Sequence, residues 1–64
     1  MSNPYIVFTG NSRNNMQPFM SAPDRSTAIR EAIRLEANNK CVEATFMPEE
    51  NLDVNVIVYA RYKD

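Results

Sequence analysis

Arg13, Arg30, Arg34 and Tyr59 are the side chains of this sequence with the most to offer a ligand. Arg30 and Arg34 stand four residues apart in "APDRSTAIREAIRLEANNK", so a helix there puts both cations on one face, a turn apart. Like charges at that spacing repel slightly, which suits them to an acidic partner. Glu31 offers the plainer alternative: three residues before Arg34, it can neutralise the pair and leave an ordinary solvated face. Arg13 sits inside "GNSRNN", a polar stretch of turn chemistry. Were Arg13 to join Arg30 and Arg34, the three would form a surface for nucleic acid or an acidic protein. Tyr59 combines a large apolar ring with a directional hydroxyl, the mixture that recurs at interface hot spots.

Catalytic chemistry finds little to work with. The chain contains no His, so neither a Ser–His nor a Cys–His pair can form within it. Glu49, Glu50 and Asp53 cluster between apolar segments, but their spacing fits no calcium loop and reads as a solvated acidic connection. Gly10 is the single glycine, which rules out a glycine-rich phosphate cradle. Cys41 reads as a half-buried small hydrophobe rather than a nucleophile. The expectation is a non-enzymatic protein with no catalytic residue, no cofactor and no metal site.

Sixty-four residues allow one domain, residues 1–64. A chain this short hides only about 60% of the surface its unfolded form exposes, so its core is thin. One cysteine excludes a disulfide within the chain. Close packing or a partner subunit must supply the missing stability, and a homodimer is one such partner. Seven basic and eight acidic side chains give a net charge of −1, no basis for non-specific nucleic-acid binding. The apolar run Val56 to Ala60 falls far short of the roughly 20 residues that span a bilayer. No basic-then-apolar leader opens the sequence, so a cytoplasmic location is expected, in the host if the protein is viral.

The elements follow from periodicity. Tyr5 to Thr9 reads as a central strand, bulky on both faces, with Gly10 as its stop. "GNSRNN", residues 10–15, reads as a turn in which Gly and Asn accept positive φ. Met16 to Ser21 can pair back, but Pro18 lacks an N–H and confines that strand to an edge. A helix is expected from Asp24 to Asn38, capped by Asp24, with Ser21 as a rival start. Its apolar face would be Ala28, Ile29, Ala32, Ile33 and Leu35, with Ile29, Ala32 and Ile33 carrying the packing. Asn38 and Asn39 suit a left-handed C-cap.

Cys41 to Met47 alternates as a strand, and "VNVIVYARY" makes the last one. There Val54, Val56, Val58, Ala60 and Tyr62 share one face, and Asn55, Ile57, Tyr59 and Arg61 the other. If the valines met the helix, Ile57 and Tyr59 would lie open. The expected fold is α+β: a small, mainly antiparallel sheet of three or four strands, one helix on one face, in the order β-β-α-β-β.

With "YIVFTG" followed by "SAPDRSTAIREAI", this layout resembles small phage proteins that disable host machinery, among them the T7-type RNA polymerase inhibitor and compact anti-CRISPR proteins. "IVFTG" and "NNKCVEA" are similar to segments of a T4-type phage antitoxin against a host RNase. The resemblance implies a non-catalytic inhibitor or modulator whose partner is a host protein such as a polymerase or defence nuclease. Arg30, Arg34, Tyr59 and Arg13 are then the candidate binding residues, with no role for a membrane. The alternative is a small nucleic-acid-binding regulatory module using Arg13, Arg30 and Arg34.

Overall fold

The computed structural model describes residues 3–48 and 53–63. Glu49 and Glu50 of the acidic connection lie outside these residues. Strand β1 (Tyr5–Ser12) is followed by β2 (Asn15–Ala22), helix α1 (Arg25–Leu35), β3 (Cys41–Phe46) and β4 (Val56–Tyr62). The strands form one sheet in the spatial order β2-β1-β3-β4, antiparallel at every step. The protein is therefore a small α+β domain, one four-stranded antiparallel sheet with one helix.

Register decides which side chains meet the helix. Tyr5, Val7 and Thr9 stand opposite Phe46, Ala44 and Val42, so these six share a side of the sheet. Val7, Val42 and Ala44 join Ala22 of β2 and Ala28, Ala32 and Leu35 of α1 in the buried core. Four of those seven core residues are alanine, so the helix can settle close to the sheet. The apolar volume enclosed is correspondingly small.

This closeness corrects the packing expected of α1. Ala28 and Ala32 are fully buried, whereas Ile33 is 51% exposed and Ile29 only partly covered. Two apolar stripes run along the helix, and the one built of alanines permits the tighter approach. Ile33 is pushed outward as a result.

β1 runs to Ser12, two residues beyond the expected stop at Gly10. Gly10 lies within the strand, opposite both Met16 and Cys41, with a register shift between Gly10 and Ser12. A Cβ on Gly10 would fall 2.3 Å from the Asn15 carbonyl oxygen and 2.9 Å from the Met16 Cα. Glycine is needed because two backbones pass too close for a side chain. The turn shrinks to Arg13 and Asn14, and no described residue has positive φ.

Helix α1 starts where Asp24 predicts. Its Oδ1 accepts the Thr27 N–H at 2.8 Å from an extended backbone. Ser21 belongs to β2 and plays no part in the cap. The helix proper ends at Leu35, three residues short of Asn38. Tightened bonds from Ala37 N–H to Arg34 O and from Asn38 N–H to Leu35 O close its last turn. Side chains serve the remaining carbonyls: Asn39 Nδ2 donates to Leu35 O at 3.0 Å, and Lys63 Nζ to Glu36 O at 3.2 Å. These bonds do the work expected of a left-handed cap.

β4 departs from simple alternation. Ala44 faces Tyr59 while Thr45 faces Ile57, leaving Val58 as an extra residue. The bulge reverses the facing of everything after it. Tyr59 shares the helix side with Ala44, while Ala60 and Tyr62 lie with Glu43 and Cys41 on the other side.

Candidate functional site

The outward face of α1 is where two of the sequence's three candidate cations, Arg30 and Arg34, sit. Ala28, Ala32 and Leu35 turn one stripe inward, and Ser26, Arg30, Ile33 and Ala37 form the stripe opposite, all exposed. Ile33 thus stands in solvent beside Arg30, with Arg34 next along the chain. Arg34 is held to Glu31, its Nε donating to Oε1 at 2.8 Å and its terminal nitrogen lying 2.6 Å from the same oxygen. That exposed pair contributes little to stability. It does orient the guanidinium along the helix, and the Arg34 side chain stays 63% exposed. Arg30 lies midway along the helix, and its charge adds a small effect to the Thr27 N–H bond that chiefly holds the Asp24 carboxyl below its usual range.

Tyr59 does not open onto the uncovered side of the sheet. Its ring packs against the core beneath α1, and its hydroxyl donates to the Glu36 carboxylate just past the helix end. The Val58 bulge is the cause. The open-sheet surface expected around Tyr59 is therefore corrected: β4 presents Ile57, Ala60 and Tyr62 there instead.

On that side, a second constellation appears. The Tyr62 hydroxyl donates to Glu43 Oε2, and the Arg13 guanidinium lies 4.4 Å from the centre of the Tyr62 ring. The Glu43 bond, then burial and the Glu43 charge, raise the Tyr62 pKa, with Arg13 opposing. Cys41, directly across from Tyr62 in the ladder, is fully buried. The turn carrying Arg13 is thereby joined to β4 across the end of the sheet.

The four candidate residues are thus distributed over three places. Arg30 and Arg34 share the helix face, Tyr59 braces the helix end, and Arg13 covers Tyr62 on the far side of the sheet. Ile33 was not a candidate from sequence, because its periodicity equally fits a core position. Chemically, the helix face offers cationic groups around an exposed branched aliphatic side chain. Among the described residues no cluster of His, Cys, Asp and Glu has metal-binding geometry, and no helix is long and apolar enough to cross a membrane. Compared with known proteins, the chain matches no family model, no curated protein and no solved structure.

Proposed function

We propose that this protein is a non-catalytic inhibitor or modulator that binds another protein through the outward face of α1, around Arg30, Ile33 and Arg34. The observation that carries the reading is Ile33, 51% exposed on a helix that buries a separate stripe of its own. Full burial of such a side chain contributes about 1.5–3 kcal/mol, and roughly half of that is still available to a partner. The neighbouring arginines favour an acidic rim around the pocket that receives it. The sequence's resemblance to small phage inhibitors makes a host enzyme, such as a polymerase or defence nuclease, the partner to seek first.

The test is capture of a host protein on immobilised chain, followed by titration of that protein's activity. Inhibition should saturate near one chain per target. Ile33→Asp should abolish capture, and Arg30→Glu with Arg34→Glu should slow association, most visibly at low salt. Inhibition that persists far below equivalence would mean turnover and would sink the reading. The nucleic-acid alternative draws less support, because Arg13 lies across the sheet from Arg30 and Arg34 and the three form no common track. Tight, salt-sensitive binding to an oligonucleotide would reverse that ranking.

A further inference from the structure

We propose that the groove between the β1–β2 hairpin and the loop after α1 binds a neutral saccharide, with Phe19 as its stacking platform. The site lies apart from the helix face above, since Arg30, Ile33 and Arg34 line no part of it. Its volume is about 290 Å³, and Asn11, Asn15, Gln17, Phe19 and Asn39 stand in its walls. The two asparagine-rich stretches of the sequence, "GNSRNN" and "NNK", thus meet in space, although β2 and α1 separate them along the chain.

A bulge delivers the aromatic ring. Phe8 faces Pro18 and Val7 faces Met20, so Phe19 is the extra residue of β2. Such a slip re-aims a side chain. Phe19 is left 60% exposed at the groove, more than any other large apolar side chain among the described residues. Asn39 is oriented in advance: its Nδ2 donates to Leu35 O at 3.0 Å, which leaves Oδ1 to accept from a ligand. The side chains of Asn11, Asn15 and Gln17 make no hydrogen bond among the described residues, so each carboxamide can both donate and accept.

Chemistry selects the occupant. Among the described residues no charged side chain lines the groove, and the carbonyls at the end of α1 beside Asn39 disfavour an anion. A nucleotide could stack on Phe19, but it brings a phosphate that nothing cationic there receives. A wholly apolar ligand would strip water from the carboxamides without replacing its bonds. A pyranose meets both demands. The C–H groups of one face suit the negative face of the aromatic ring, and the hydroxyls round its rim suit the carboxamides.

NMR titration of the isotope-labelled chain with maltotriose, cellotriose or chitotriose, at tens of millimolar, tests this. At least one of these sugars should give saturable shifts of the Asn11, Asn15, Gln17 and Asn39 side-chain amide signals. Phe19→Ala and, separately, Gln17→Ala should weaken that binding at least tenfold with the circular dichroism spectrum unchanged. Both side chains are exposed, so neither substitution reaches the core. Adenosine monophosphate should leave the same signals in place. No saturable shift with any of the sugars, binding that persists unweakened in Phe19→Ala, or tighter binding of the nucleotide would overturn the proposal.

Discussion

Asp24, Tyr62 and Gly10 each hold a position through one dominant contact, and each contact is separately testable. Asp24 receives the Thr27 N–H, and its pKa lies below the ordinary 3.8. A carboxyl with a lowered native pKa stabilises the fold fully above its unfolded value, and that contribution fades as pH falls through the native one. Unfolding of the native chain and of Asp24→Asn should thus differ at neutral pH and converge progressively below 3.8. Tyr62 gives the opposite sign. Its neutral form donates to Glu43, and its pKa is raised above 10.0. Its contribution is therefore complete below 10.0 and lost as pH rises through the raised value. In an ultraviolet titration, Tyr62→Phe should therefore remove a late-ionising tyrosine. At Gly10 the contact is steric. Gly10→Ala sets a Cβ against the Asn15 carbonyl, and such overpacking costs about 1–3 kcal/mol in denaturant unfolding.

At the level of elements, the helix separates two kinds of isoleucine-sized side chain. Leu35 is 5% exposed and belongs to the core, so Leu35→Ala should cost about 2–5 kcal/mol. Ile33→Ala, at a side chain half in solvent, should cost less, about 0.5–1.5 kcal/mol. Equal losses in urea unfolding would refute the inward alanine stripe. Ala32→Leu should destabilise by about 1–3 kcal/mol, because α1 has no spare distance from the sheet. The sequence made the central β1, the edge strand with Pro18, the Asp24 cap and the Glu31–Arg34 pair legible, since each rests on spacing within a few residues. It could not say which of two adjacent apolar stripes faces inward, because that depends on how closely the sheet lets the helix approach. Nor could it place the Val58 bulge, which is a slip in the ladder between β3 and β4. With the bulge unseen, the side taken by Tyr59 was out of reach. The bonds from Tyr59 to Glu36 and from Tyr62 to Glu43 span 23 and 19 residues, distances over which periodicity carries no information.

For the molecule as a whole, a core of alanines and a few larger residues leaves little stability in reserve, and a ligand of the folded state would supply more. The two surfaces proposed for this chain then leave different signatures in its unfolding. A ligand that binds only the folded chain raises the unfolding midpoint with its own concentration, by mass action. The native midpoint should therefore rise as the saccharide is added, and Phe19→Ala should flatten that dependence. Leu35→Ala acts inside the core, so it should lower the midpoint at every saccharide concentration and leave the slope in place. Ile33→Asp lies on the partner-binding face and should leave the slope in place, although it should release the captured host protein. A slope that disappears in Ile33→Asp but survives in Phe19→Ala would place the saccharide on the helix face. It would also make Ile33, rather than the ring beside the carboxamides, the residue that a sugar covers.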